Sequence, residues 1–374
     1  TYREILMSIK ENSKIKVAVL YGGRSAEHEV SLQSAAAVIK HLDRNKFTII
    51  PIGIDKQGHC FVNEVSQFSG QELASALPLQ TKTSTTLTSI AELNHDKKAI
   101  CDVVFPLLHG SFGEDGTIQG LLEILDLAYV GADVLGSALS MDKDMAKRLV
   151  SAESIPVVPF LTLDSGLWST KQVQSMEEIE QKISYPLFVK PANSGSSLGV
   201  TKVKKSTDLS AAIELAFTYS TKVLLEKAFE VREIEIAVLE NLHGGPAPLV
   251  SIAGEIIPSH EFYSYEAKYL DAKGAELMLP AVLQAGQLAQ LKSYAAQIFT
   301  RLNCAGMARI DFFIEKQSQK IYFNEINTIP GFTPISMYPK LWQASGISYP
   351  QLLSHLIELA IARHRRLASI KCSL

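Results

Sequence analysis

The sequence predicts an α/β amino-terminal unit followed by a mixed α+β remainder, and three observations carry that prediction. An apolar run, Lys16-Val-Ala-Val-Leu-Tyr21, stops at Gly22-Gly23, passes through Ser25-Ala-Glu-His-Glu-Val-Ser31 into an alanine-rich helical stretch, and is followed by a second apolar run, Phe47 to Ile54. Strand, glycine turn, helix and strand form a βαβ unit, which favours a parallel sheet. Farther along, Glu233–Leu239 and Leu249–Ile257 alternate in the manner of antiparallel partners. Finally, Gly306–Ile314 and Lys320–Asn327 are joined by a segment containing Gln317-Ser-Gln, short enough for a hairpin.

The remaining elements follow in order. Ser25 is expected to cap the first helix, ahead of acidic residues in its first turn. Residues 55–98 lack a clear period and read as an excursion from the sheet. Cys101–Leu108 is a strand, Thr117–Leu125 a helix, and Ala138–Ser151 another helix. The prolines of Ile155-Pro-Val-Val-Pro159 then mark a first domain boundary. Tyr185–Pro191, the glycine loop Gly195-Ser-Ser-Leu-Gly199 and Val200–Val203 read as strand, loop and strand. A helix over 207–219, the strand Lys222–Glu226 and a helix over 285–302 complete the pattern. No internal repeat is visible.

Length and composition narrow the function. A chain of 374 residues exceeds one ordinary core and implies two or three domains, and with 47% hydrophobic and 20% charged residues it can fill them. A net charge of −3 without long Lys/Arg blocks argues against nucleic acid as a partner. The longest mostly apolar stretch, Leu352–Ala362, is broken by Ser354, His355 and Glu358, well short of a membrane span. No signal segment is recognisable, and the four widely spaced cysteines suggest neither a disulfide framework nor a thiolate zinc site. A soluble cytoplasmic enzyme is the expectation.

Alternate strand residues share a face, so Arg309 lies beside Asp311, and Glu325 beside Asn327 on the next strand. Asp311, Glu325 and Asn327 form a hard-oxygen set suited to Mg²⁺ or Mn²⁺ held against phosphate. The same pattern also suits a solvated polar face opposite Ile310, Phe312, Phe323 and Ile326. The glycine loop matches Gly-x-Ser-x-Gly, in which Ser197 would be a hydrolase nucleophile, but that motif needs a helix directly after it. Strand-like Val200–Val203 favours a flap whose backbone N–H groups cover phosphates, or a plain hairpin loop. No Gly-x-x-x-x-Gly-Lys-Ser/Thr loop and no full Gly-x-Gly-x-x-Gly pattern occurs.

In this order the parts closely resemble the D-alanine–D-alanine ligases of the ATP-grasp superfamily. The resemblance is carried by Tyr21-Gly-Gly-Arg-Ser-Ala-Glu-His-Glu-Val-Ser31, Leu108-His-Gly-Ser-Phe-Gly-Glu-Asp-Gly-Thr-Ile-Gln-Gly120, Met141-Asp-Lys143, Val189-Lys-Pro191 with Gly195–Gly199, Tyr265-Glu-Ala-Lys-Tyr269, Arg309-Ile-Asp311 and Asn324-Glu-Ile-Asn-Thr-Ile-Pro-Gly331. It runs from Lys16 to Ala362 and does not cover the residues before the first strand. It implies a three-domain ATP-grasp fold: a Rossmann-like substrate-binding domain (1–140), a central subdomain with the flap (141–231), and a carboxy-terminal subdomain with the metal face and a mobile loop (232–374). The implied reaction phosphorylates one D-alanine with ATP and joins the acyl phosphate to the amine of a second, supplying a peptidoglycan precursor.

Residue by residue, the resemblance implies that Asp311, Glu325 and Asn327 hold two Mg²⁺ or Mn²⁺ ions. It implies that Lys143, Lys190, Ser196 and Ser197 meet the phosphates. Glu226, Lys227 and Phe229 would form the adenine hinge and Glu233 would lie near the ribose, with Lys268, Asn324 and Glu325 completing the ATP site. Arg309 and the Gly331 N–H would stabilise the oxyanion, Glu27 would hold the ammonium of the first D-alanine, and His109 would lie near the reacting carboxylate. Ser336 and Met337 would meet the second carboxylate, and Tyr269 would link to Ser196 and Glu27 as the loop closes. The Lys268-Tyr269 pair resembles dipeptide-forming relatives rather than those that use D-lactate. A homodimer is also implied. D-lactate or D-serine as second substrate, a serine hydrolase using Ser197, and a nucleotide-binding regulatory protein are the competing readings.

Overall fold

A computed structural model describes residues 14–65, 85–87, 89–95, 98–242, 245, 247–258 and 275–370. The first sheet is built on β1 (Ile15–Gly22), which pairs parallel to β2 (Phe47–Ile54) through helix α1 (His28–His41), as the βαβ pattern requires. The 55–98 segment departs from the expected excursion. Two of its pieces, β3 (Cys60–Val62) and β4 (Thr85–Leu87), return to extend the sheet antiparallel beyond β2. Among the described residues its other strands are the short pair β5 (Asn94–His95) and β6 (Lys98–Ala99). On the far side of β1, β7 (Val103–Leu107) pairs parallel and is buried along its length, giving the order β4-β3-β2-β1-β7.

Ser25 does not cap α1. Glu27 occupies the cap position without a side-chain cap bond, and Ser25 Oγ instead donates to the His109 carbonyl at 2.6 Å. After α2 (Thr117–Ile124), the helix expected over 138–151 divides into α3 (Val134–Met141) and α4 (Lys143–Ala152). The break falls at Asp142, whose carboxylate accepts from the N–H groups of Asp144 and Met145 and starts a new helix.

The second sheet is antiparallel, in the order β10-β9-β11-β8, from β8 (Phe160–Asp164), β9 (Leu187–Pro191), β10 (Thr201–Val203) and β11 (Lys222–Lys227). Helices α5 (Ser165–Lys182) and α6 (Leu209–Phe217) bury Trp168, Ile179, Leu209 and Ile213 against it. The third sheet, also antiparallel, runs β14-β13-β12-β15-β16. It comprises β12 (Val231–Leu239), β13 (Leu249–Pro258), β14 (Ala275–Met278), β15 (Met307–Glu315) and β16 (Ile321–Asn327). One face packs on α4 and α7 (Gln287–Arg301) through Ile234, Ile236, Ile310, Phe312 and Phe323.

Its other face shares a core with the first sheet. Between them lie α8 (Met337–Ala344) and α9 (Tyr349–Ala368), whose Tyr338, Trp342, Leu352 and Leu356 join Val17, Val19, Phe105 and Leu107 in one buried cluster. This shared core fixes the ends of β1 and β7 opposite the β15–β16 hairpin. Among the described residues no helix is long and apolar enough to cross a membrane.

Candidate active site

Strand pairing builds the first part of the site. In the β15–β16 ladder Arg309 stands opposite Asn327 and Asp311 opposite Glu325, with a bulge after Asp311 that disturbs the register toward the turn. On β12, Glu235 stands opposite Asp311. Arg309 donates from Nε and Nη2 to the two oxygens of Asp311 at 2.8 and 2.7 Å, and its Nε lies 3.2 Å from Glu235. Burial by itself would lower the guanidinium's basicity, but Asp311 and Glu235 outweigh it and raise it well above its usual value. Asn327 donates its amide N–H to Asp311 at 3.2 Å. Two carboxylates and an amide on one polar face, backed by the buried Ile310, Phe312 and Ile326, are hard donors of the kind Mg²⁺ takes beside phosphate oxygens. The donor chemistry fits a divalent cation, with too few protein ligands to form a closed cage.

Lysines approach this face from α4 and β9. Lys143 Nζ lies 3.3 Å from Glu325 and donates to the Ser194 carbonyl at 2.7 Å, joining the hairpin to the glycine loop. Lys190 Nζ lies 2.5 Å from Glu226 Oε2, and Lys147 Nζ lies 3.0 Å from Oε1 of the same carboxylate, without hydrogen-bond alignment. Glu226 and Lys147 are 1% and 0% exposed; burial lowers the basicity of Lys147, opposed chiefly by the charge of Glu226. Burial opposes ionisation of Glu226, but the two lysines overcome it and hold the carboxyl down to about 2. Removing one member of such a pair costs about 3–5 kcal/mol.

Loops build the second part. Glu27 sits between two glycines: a Cβ at Gly110 would come within 2.5 Å of its Oε2, and one at Gly195 within 2.7 Å. Its other oxygen accepts from Ser196 Oγ. The glycine loop bends sharply, with Ser196 and Ser197 at φ 52° and 57°. Strand β10 follows it and α6 waits until Leu209, so the strand-to-helix elbow that a Ser197 nucleophile needs is absent.

His109 is buried after β7. Its Nδ1 donates to the Ile329 carbonyl at 3.0 Å and its Nε2 faces Ser34 Oγ at 3.1 Å. Burial, partly opposed by Glu27, lowers its basicity and keeps the ring neutral. Ser34 Oγ also accepts from the Phe332 N–H, so α1 and His109 together pin the 329–332 loop. Gly331 leaves room there for Ser336, since a Cβ would come 2.7 Å from Ser336 Oγ. Ser336 itself is held by Thr333 at the start of α8.

Two cavities result. One, about 160 Å³, is lined by Glu27, His109, Ser196, Gly331, Ser336 and Met337, with Asn327 at its edge. The other, about 90 Å³, is lined by Lys143, Lys190, Ser197, Glu233, Asp311 and Asn324. Arg309, Glu235 and Glu325 border both, so the two spaces meet at the hairpin. Glu226, Lys227 and Phe229 line neither. The Glu226 side chain is turned to the lysines, the Lys227 N–H bonds to Pro159, and Phe229 stacks on Tyr322 at 5.6 Å. Lys268 and Tyr269 lie outside the described residues.

Three residues escaped the sequence reading. Glu114 lines the larger cavity, accepts from the Gly110 N–H at 2.8 Å, and is pushed up to about 8 by burial and then by Glu27. It stood inside the His109–Gly116 motif, where only its burial distinguishes it from Asp115. Glu235 was legible from its alternation with Glu233 on β12. Lys147 carried the weak signal of lying one helical turn after Lys143.

Comparison with known proteins identifies the family. Residues 16–132 match the family model described as D-ala D-ala ligase N-terminus, and residues 149–358 that of D-ala D-ala ligase C-terminus. The chain is 48% identical over 371 residues to D-alanine–D-alanine ligase A of Bradyrhizobium diazoefficiens, covering 96% of this chain and 98% of that one. Against D-alanine–D-alanine ligase A of Escherichia coli K12 the identity is 42% over 363 residues, covering 94% and 97%. Among solved structures, the D-alanine-D-alanine ligase from Coxiella burnetii superposes with a TM-score of 0.77 at 37% identity, covering 95% and 96%. The VanG D-Ala:D-Ser ligase from Enterococcus faecalis gives 0.79 at 39%, covering 93% and 100%. A carboxylate cradled by glycines on one side of Arg309, and lysines with hard oxygen donors on the other, thus occur in a chain that matches along nearly all its length: it belongs to the D-alanine–D-alanine ligase family.

Proposed function

We propose that the protein joins two D-alanines at the expense of ATP. The observation that carries the reading is the meeting of the two cavities at Arg309 and Glu325, where a substrate carboxylate and a terminal phosphate would come together. Glu27 takes the ammonium of the first D-alanine, which leaves its carboxylate toward Arg309. A carboxylate oxygen attacks the γ-phosphorus and ADP leaves, giving an acyl phosphate. The amine of the second D-alanine attacks the acyl carbon and loses a proton, and inorganic phosphate departs with its bonding electrons. Arg309 and the Gly331 N–H stabilise the oxyanion that develops between these events, where preorganised donors act most strongly.

Asp311, Glu325 and Asn327 would hold Mg²⁺, as two ions, while Lys143, Lys190 and the Ser196-Ser197 flap hold phosphate. The cation, when bound, offsets the repulsion between two anionic reactants. Glu233 and Asn324 would line the nucleoside side. The three domains are assigned as 1–140, 141–231 and 232–374. ATP and free amino acids as substrates, with a peptidoglycan precursor as product, fit a cytoplasmic enzyme, and a homodimer accompanies the family reading.

A second reading is favoured by one observation: a solved structure 39% identical to this chain is a D-Ala:D-Ser ligase. One experiment separates the two. ADP release is measured with Mg-ATP and D-alanine, alone or with D-serine or D-lactate, and products are identified by mass. D-alanine-dependent ADP release with a D-alanyl–D-alanine product is expected. Dominance of the D-serine product in an equimolar mixture would replace the first reading with the second, and ADP release independent of D-alanine would remove both.

A further inference from the structure

Of the three residues in the buried charge cluster, only Lys190 lines the ATP-side cavity. Lys147 cannot reach it. Its ammonium is fully enclosed, 5.8 Å from the Phe323 ring centroid and 3.5 Å from the Phe323 carbonyl. With ATP bound, Lys190 would have two anionic destinations, the Glu226 oxygen it now touches and a phosphate in the cavity it lines. If Glu226 depended on Lys190 alone, departure of that lysine would strand a carboxylate in the core, and the lysine would stay where it is. Lys147, on the other oxygen of Glu226, removes that penalty.

We propose that Lys147 is a positioning residue for nucleotide binding: it holds Glu226 from the buried side, so that Lys190 can exchange that carboxylate for a phosphate oxygen. This deepens the reading of Lys190 as a phosphate ligand and rests on it. Helix α4 serves both ends of the arrangement. Its first residue, Lys143, reaches Glu325 and the glycine loop, and Lys147 lies one turn later on the same side. The helix thereby places one lysine in the nucleotide space and another behind it.

The test is calorimetric binding of Mg-ATP in the absence of D-alanine, with steady-state KM values alongside. Lys190→Met is the reference and is expected to weaken ATP binding. Lys147→Met keeps length but removes the charge, which leaves Lys190 locked on Glu226. ATP binding should weaken about tenfold, as it would if the competent lysine position fell to roughly a tenth of the population, with the KM for D-alanine unchanged. Glu226→Gln removes the lock, and because that residue is also expected in the adenine hinge it is measured alone as the baseline: adding Lys147→Met to it should change ATP binding by less than about threefold. Full affinity in Lys147→Met, or a tenfold cost of Lys147→Met that persists on the Glu226→Gln background, overturns the proposal.

Should Lys147→Met fail to fold, the double variant is compared with Glu226→Gln: equal affinity in the two supports the proposal and a tenfold loss in the double variant overturns it. A Lys190→Met variant with undiminished affinity would instead remove the phosphate role from which the proposal starts.

Discussion

The end of the site proposed for cation and phosphate and the end proposed for the amino acid are assembled in different ways. The first takes Arg309, Asp311, Glu325 and Asn327 from a single hairpin, where ladder register sets every spacing and the opposite face is solid core. The second takes Glu27 from the start of α1, His109 from the end of β7, Ser196 from the glycine loop and Gly331 from the approach to α8. Its defining contacts span 169 residues from Glu27 to Ser196 and 220 from His109 to Ile329. Strand-borne charges are rigid and hard to replace. Loop-borne contacts rely on close backbone approach, and small steric changes move them. Damage to the first end should therefore abolish chemistry, while damage to the second should shift substrate affinity.

The largest effect is expected from Glu325→Ala or Asp311→Asn. Turnover measured by ADP release should fall by about 10³-fold, consistent with the loss of charge stabilisation at a transferring phosphoryl group, with the thermal transition kept. Full activity in either variant would break the comparison at its stronger end. Next comes Gly195→Ala. The new Cβ meets only the flexible end of Glu27, so the fold should survive while the carboxylate is displaced. The KM for D-alanine should rise about tenfold or more, since misplacement by an ångström is costly, and ATP binding should hold. An unchanged D-alanine KM would contradict the cradle.

Glu114 offers a pH test of the same end. Its folded value near 8 exceeds the unfolded 4.5, so between those values the native state binds the extra proton. Its contribution to stability is complete below about pH 4.5 and is lost as pH rises through about 8. Glu114→Gln, neutral throughout, should therefore gain thermal stability relative to the parent as pH rises across that window. Parallel melting curves for the two proteins from pH 5 to 9 would remove the buried-acid assignment. The smallest effect belongs to Ser197→Ala, which should weaken ATP binding a few-fold and leave ligation intact. Complete loss of activity would reinstate Ser197 as a nucleophile.

How much of this was legible in the sequence follows from the same contrast. Period-two alternation placed Arg309, Asp311, Glu325 and Asn327 on one face without any family pattern, because strand geometry is local. The βαβ unit, the strand–loop–strand flap and four of the five third-sheet strands were legible for the same reason, while β14 was not read. The amino-acid end was legible only through resemblance, since no local period connects Glu27 with Gly195 or His109 with Ile329. The short strands β3 and β4 were missed because they are edge additions of three residues, too brief to show alternation. The single helix expected over 138–151 was divided by one capping carboxylate, Asp142. Glu114 and Lys147 were hidden because burial of a charged residue depends on what the rest of the fold places around it.

Arg363 on α9 donates to the carbonyls of Gly131 and Tyr129, and its guanidinium lies 4.4 Å from the Tyr129 ring centroid. The Tyr129 bond spans 234 residues of sequence, and the core beneath it mixes β1 and β7 with α8 and α9. During synthesis the first sheet therefore emerges long before the helices that cover one of its faces. At about 5–20 residues per second the interval is roughly 10–50 s. For that time the nascent chain carries an apolar surface of Val17, Val19, Phe105 and Leu107 without its later partners. The amino-terminal unit is thus made with an uncovered apolar face that in the finished molecule is fully buried.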